Sequence, residues 1–202
     1  PLRHTMVVAT RHSESILSSG RILDEDKITR ALNNAQNLGA EYAEIRLVSE
    51  TTNTASLKDG KLERAIPGQE VGVTMRILAD GAWGVHSTSD IDSIIDQVEP
   101  TYRLAKAVAA RRSPSQPAVG LAEVPVIEDE LHWRSVKDVR DTSLDTRIEL
   151  MLAIDNEAKD HEKIVSTSTG WSDEHIHTEL MTTEGMNRVW SFQRSLINGM
   201  VT

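Results

Sequence analysis

His175, His177 and Glu179 stand two residues apart in the stretch Glu174–Thr183, whose residue types predict a strand. Side chains two apart on a strand share a face, so all three project together. Two imidazoles and one carboxylate can hold zinc and leave a fourth position open. The competing reading turns Ile176 and Leu180 into the core and leaves a wet, polar face opposite. HxHxE is a short pattern, and no distant ligand is compelled to join it.

Other groups offer less. Asp80-Gly81 with Gly84 could cradle a phosphate, but the dinucleotide fingerprint needs a strand, the glycines and then a helix. Here the glycines join two strands, and turn geometry accounts for them. Ser87, Thr88 and Ser89 supply hydroxyls, yet a nucleophilic serine needs a base and an orienting acid. His86 would point to the opposite face of its strand, so the run reads as a helix N-cap ahead of Ile91. Trp83, Trp133, Trp171 and Trp190 are scattered and build no stacking platform. No HExxH motif occurs; His161-Glu162 is followed by Lys163-Ile164-Val165-Ser166. The residues alone name no catalytic set.

The bulk composition narrows the class. The 202 residues contain 39% hydrophobic and 26% charged side chains, the profile of a soluble globular protein. Aromatics make up 3%, so the core rests on Ile, Leu, Val, Ala and Met. A net charge of −9 argues against nonspecific nucleic-acid binding, which needs a basic footprint. Arg111-Arg112, with Arg103 and Lys106, reads as the charged side and end of one helix. The absence of cysteine excludes disulfides, thiol catalysis and cysteine metal sites, and fits a cytoplasmic setting. No apolar run approaches the roughly 18 residues of a spanning helix, so no membrane association is expected.

The elements that would position these residues follow from periodicity. Residues 1–21 read as a flexible polar arm, with PLRHT ahead of Met6 outside the fold. A helix is expected over Asp24–Leu38, with Ile28, Ala31, Leu32, Ala35 and Leu38 on one stripe and Gly39 at its C-cap. Ala43, Ile45 and Leu47 then alternate with Glu44 and Arg46. Asp59-Gly60, Pro67-Gly68 and Asp80-Gly81 mark turns, giving an antiparallel meander of about four strands. A second helix opens near Ser89 or Asp90, kinks or restarts at Pro100 and ends near Ala110. The fold class is therefore α+β: an antiparallel sheet flanked by helices, both on one face, over residues 22–112. Three prolines in Ser113–Pro125 mark a linker, drawn over 113–130. Residues 131–202 read as a second, partial α+β domain. It has a helix over Ser143–Lys159, strands over Lys163–Thr169, Glu174–Thr183 and Asn187–Ser195, and a turn at Glu184-Gly185. The apolar stretch Leu196–Val201 is expected to be an element cut short.

In order and spacing, YAEIRLVSETTNTASLKDGKLERA followed by GVTMRILADGAWGVHSTSD resembles the N-terminal domain of the TldD/PmbA family. The family's strand with an E-x-R core falls on Glu44 and Arg46. Its hairpin turn falls on Asp59-Gly60. Its G-x-x-x-R-x-L-x-D-G strand and the following W/F-G and T-S/N-D stretch fall on Gly72, Arg76, Leu78, Asp80, Gly81, Trp83, Gly84, Thr88 and Asp90. The resemblance is strong from about Ile22 to Ala110. It continues more weakly through SLDTRIELMLAIDNEA and the turn near Glu184, which resemble the family's central domain.

The resemblance implies a cytoplasmic peptidase of a family historically named for modulation of DNA gyrase. Its members act as paired subunits that enclose a cavity, with roles in peptide-antibiotic maturation and antitoxin degradation. One subunit type carries an HExxxH zinc motif in a later C-terminal domain, where zinc-activated water attacks a peptide carbonyl; its partner type lacks it. The implied expectation for this chain is no catalytic, cofactor-binding or metal residue, with zinc in a missing C-terminal domain. The partner would be a TldD/PmbA-type subunit or a second copy, and the substrate a peptide. The alternatives are a noncatalytic partner subunit or a freestanding peptide-binding module. Arg76 and Asp80 are expected to brace a turn or a subunit contact.

Overall fold

The computed structural model of the chain describes residues 20–113, 115–133 and 135–202. Most of the arm expected at 1–21 therefore lies outside the described residues.

Helix α1 (Glu25–Asn37) starts where Asp24 accepts a hydrogen bond from the Lys27 amide at 3.0 Å. Glu25 and Asp26 occupy its first turn, complementing the helix dipole, and Ile28, Ala31, Leu32 and Ala35 are buried. Three antiparallel strands follow, β1 (Tyr42–Lys58), β2 (Lys61–Ala79) and β3 (Ala82–Thr88). Two-residue turns join them. Asp59 and Gly60 have φ of 51° and 77°, and Asp80 and Gly81 have 51° and 68°, the positive pair a type I′ turn requires.

The expected meander of about four strands is corrected to three. Pro67-Gly68 is no turn; Pro67 sits inside β2 opposite Asn53. Strand β3 pairs with β2 only from Val73 to Ala79, so this part of β2 keeps one open edge. A residue without an N–H is tolerated there.

A 3₁₀ helix (Asp92–Gln97) leads into α2 (Val98–Ala110), with Pro100 in the first turn of α2, where its missing N–H removes no intrahelical bond. Beyond the proline-rich stretch come β4 (Glu128–His132), a 3₁₀ turn (Val139–Asp141), α3 (Leu144–Lys159), β5 (Thr167–Thr182) and β6 (Asn187–Val201). Ser143 caps α3 through the Thr146 amide at 3.1 Å.

The strands expected at Lys163–Thr169 and Glu174–Thr183 are one strand, because Trp171, Ser172 and Asp173 pair continuously with Ala55, Thr54 and Asn53. Leu196–Val201 completes β6, whose pairing with β5 runs to Thr167 opposite Val201. Strand β4, unforeseen, begins inside the segment drawn as linker.

The six strands of the described residues form one sheet in the order β3-β2-β1-β5-β6-β4, antiparallel except for the β4–β6 pair. The segments on either side of the proline-rich stretch thus meet at β1–β5. The helices pack on the face of the sheet that carries Ala43, Ile45 and Leu47. Near α1 and α2 the core holds Ile45, Leu47, Val73, Met75 and Ile77 against Ile28, Leu32, Ile94 and Val98. A smaller cluster of Ala55, Leu57 and Met151 lies under α3. Between the two, β1 presents Ser49, Thr51 and Asn53, and the helix layer is interrupted.

Candidate functional site

That interruption holds the histidines. In the β1–β5 register Leu47 faces Glu179, Ser49 faces His177 and Thr51 faces His175. All three candidate ligands therefore share the helix-bearing face. The expectation that Ile176 and Leu180 would turn into the core is corrected: they lie on the opposite face, in register with Glu50 and Arg46. Alternation gives two faces, and only packing of the helices decides which one is covered.

The three side chains do not converge on one point. Glu179 is buried at 1% exposure, and its Oε1 lies 2.8 Å from His177 Nε2. Its two oxygens also accept the Ile22 and Leu23 amides, at 2.5 and 3.1 Å. The carboxylate straps the segment ahead of α1 onto β5, a role that satisfies a buried charge without a metal. His175 makes no hydrogen bond with the described residues. Among those residues, no group of three or more His, Cys, Asp or Glu side chains is arranged to hold a metal ion. The set does not fit a zinc centre.

Around the two histidines is a cavity of about 300 Å³. Gly20 and Ile22 close one side, and Ser49 and Thr51 belong to its β1 wall. Sequence reasoning missed the rest. Strand β4 brings His132, whose Nδ1 lies 2.7 Å from Ser191 Oγ, and Trp133 follows. The 3₁₀ turn before α3 brings Asp138 and Arg140, paired at 2.7 Å between Arg140 Nη2 and Asp138 Oδ2. Gln193 fixes that turn by accepting the Val139 amide at 2.9 Å. Strand β4 has no alternating pattern and its parallel partner lies more than fifty residues on, so no local signal marked His132.

Electrostatics follow from this packing. Burial and then the Arg140 guanidinium hold His175 below the usual histidine pKa of 6.5. The Arg140 side chain holds the Asp138 carboxyl below its ordinary range.

The motif residues away from the cavity make contacts within the fold. Arg76 Nε donates to Glu44 Oε1 at 2.8 Å and lies over Trp83, 4.8 Å from the ring centroid. Tyr42 donates its hydroxyl to Glu44 Oε2 at 2.8 Å, and burial with that carboxylate pushes the phenol pKa up. Arg46 stacks over Trp190 at 5.5 Å. Asp80 pairs with Lys106 of α2, while Arg112 donates to the carbonyls of Asp80 and Gly81 at 3.0 and 2.9 Å. Gly84 permits close approach of α2, since a Cβ there would fall 2.1 Å from the Thr101 carbonyl oxygen. At Gly72 a Cβ would make only an ordinary 3.7 Å contact, and the structure gives no reason for a glycine.

The first strands, the two glycine turns and the helix closing on Gly84 coincide with a known family domain. Residues 43–111 match the family model described as PmbA/TldA metallopeptidase domain 1. Over that segment the chain is similar to the first domain of the TldD/PmbA metallopeptidases.

A metalloprotease of Methanocaldococcus jannaschii is 28% identical over 151 residues, spanning 72% of this chain and 32% of the relative. A metalloprotease of Methanothermobacter thermautotrophicus is 26% identical over 145 residues, or 72% of this chain and 30% of the relative. The chain thus spans about a third of the length of the curated relatives it matches.

Solved structures agree on the TldD/PmbA fold. A Bacteroides thetaiotaomicron protein named for modulation of DNA gyrase matches with a TM-score of 0.66 at 19% identity, over 90% of this chain and 42% of its own. TldE of Thermococcus kodakarensis matches with a TM-score of 0.55 at 14% identity, over 87% of this chain and 39% of its own. No described helix is long and apolar enough to cross a membrane.

Proposed function

We propose that this chain supplies the amino-terminal part of a TldD/PmbA-type metallopeptidase that acts on peptides or unfolded segments. Zinc and its attacking water belong, in this reading, to a C-terminal domain with an HExxxH motif. The residues of this chain scaffold the substrate cavity and line part of its wall. Pairing with a TldD/PmbA-type subunit or a second copy, in the cytoplasm, belongs to the same proposal.

The supporting observation is the match of residues 43–111 to a metallopeptidase first domain. The most ligand-like cluster in the chain meanwhile has its carboxylate committed to Ile22, Leu23 and His177. What these residues contribute to hydrolysis is position: a rigid sheet, braced turns and a polar cavity between helices.

Reading the gene beyond Thr202 tests the proposal, together with zinc analysis of the 202-residue protein. The expected results are a His-Glu-x-x-x-His motif downstream, no stoichiometric zinc in the protein by itself and no hydrolysis of an unstructured peptide. One zinc per chain that is lost in a His175→Ala/His177→Ala variant, along with hydrolysis, would overturn it.

A further inference from the structure

We propose that the cavity between α1 and α3 is a binding site for a carboxylate carried on an apolar or aromatic group, such as the C-terminal residue of a peptide. The inference rests on the peptide reading only for the source of that carboxylate.

The argument begins with an imbalance of donors. Both carboxylates at the cavity are already saturated within the chain. Asp138 accepts from the Arg140 amide at 2.8 Å and from Arg140 Nε and Nη2 at 3.0 and 2.7 Å. Glu179, behind His177, accepts two amides and faces the imidazole. Donors, by contrast, are left over. Arg140 Nη1, the His175 ring and the hydroxyls of Ser49 and Thr51 make no hydrogen bond with the described residues. A guanidinium with an unused edge beside an unbonded imidazole matches an acceptor-only group, and a carboxylate is the compact one with two acceptor oxygens.

The second observation is the shape next door. The cavity shares His132, Trp133, Ser191, Phe192 and Gln193 with a more open groove of about 820 Å³ that also takes in Leu131 and Trp190. Leu131, Trp190 and Phe192 lie on the other face of the sheet from His175 and His177, so a group attached to a head seated by Arg140 and His175 would meet Trp133, which lines both. Ile22 closes the apolar side of the cavity itself. A concavity whose placed polar groups fix one end of a ligand, with apolar side chains beside them for the rest, is a usual form of small-ligand site.

Binding of N-acetylphenylalanine to the whole chain, followed by NMR and calorimetry, tests it. The acid should bind and shift the His175 imidazole resonances, with N-acetylphenylalanine amide at least about tenfold weaker, since the charge-assisted bonds are lost. Acetate should also bind more weakly, having no apolar group to set against Ile22 and Trp133. Arg140→Gln should weaken the acid by about tenfold and leave the amide unchanged. If that variant fails to fold, the acid–amide contrast on the unaltered chain still decides. Equal binding of acid and amide, or no binding of either at millimolar concentration, overturns the site. Tighter binding of N-acetyl-alanyl-alanyl-phenylalanine than of N-acetylphenylalanine identifies a peptide terminus as the source; equal affinity identifies a free carboxylic acid. Neither readout depends on hydrolysis, so the peptidase reading can fail while the site stands.

Discussion

Asp59 shows how much one side chain can depend on a remote strand. Its turn with Gly60 is local, and Asp tolerates the φ of 51° better than most residues. Its carboxylate, however, accepts the Thr167 amide at 2.9 Å and the Ser166 hydroxyl at 3.0 Å, from more than a hundred residues away. The Thr167 amide first, then the Ser166 hydroxyl, hold its pKa below 3.8. A carboxylate with a depressed folded pKa adds stability that is complete above the unfolded value and is lost as pH falls through the folded one. Asp59→Asn keeps the turn and an acceptor but removes the charge. It should lower the urea midpoint at pH 7, and the difference from the unaltered protein should close below about pH 4. A gap as large at pH 3 as at pH 7 would remove the charge from the explanation. The turn was legible in Asp59-Gly60; the bond to β5 was not, because it depends on which strand lies alongside.

Helix α3 meets the sheet through a buried ion pair as well as through Met151 and Leu152. Arg147 and Asp173 side chains are 4% and 1% exposed, and Arg147 Nε donates to Asp173 Oδ2 at 2.6 Å. Trp171 Nε1 donates to the same oxygen at 3.0 Å, and Asn53 Nδ2 to Oδ1 at 3.2 Å. Arg147 also donates to the carbonyls of Val139, at 2.7 Å, and Thr142, which fixes the turn that carries Arg140. Removing one member of such a pair leaves a buried charge uncompensated. Arg147→Met should cost about 3–5 kcal/mol in urea unfolding, while Arg147→Met with Asp173→Leu should cost no more than the single change. A loss below about 1 kcal/mol for Arg147→Met would assign α3's attachment to Met151 and Leu152 instead. In the sequence Arg147 looks like an ordinary polar helix residue, since nothing local reveals a buried aspartate twenty-six positions away.

The two segments around the proline-rich stretch behave, by their pairing, as one body. Strand β5 pairs with β1 from Glu44–Thr182 to Lys58–Ser168, along most of both strands, and Glu179 holds the residues ahead of α1. The stretch between α2 and β4 is exposed and contributes little of this adhesion. A protease site placed between Ser113 and Pro125 should therefore be cut without separation. The two fragments should elute together in native gel filtration and part only in denaturant. Separation under native conditions would show that each half keeps its own fold and that the β1–β5 seam is weak.

What the sequence determined by itself is what short-range physics controls. The 3.6-residue stripe of Ile28, Ala31, Leu32 and Ala35 fixes α1, Ser143 fixes the start of α3, and the Asp-Gly pairs fix two hairpins. The Asp-Gly pairs, in order and spacing with Glu44, Arg46, Arg76 and Trp83, also carry the resemblance to the TldD/PmbA family. The length of β2 through Pro67 escaped it, because a proline's tolerance depends on whether a neighbour pairs with that edge. Tertiary structure decided the rest. It set β5 beside β1, turned His175 and His177 toward the helices, engaged Glu179 with Ile22 and Leu23, and brought His132 and Arg140 to the same cavity. A period of two tells a strand that it has two faces, but the choice of covered face and neighbouring strand is made by contacts between segments far apart in the chain.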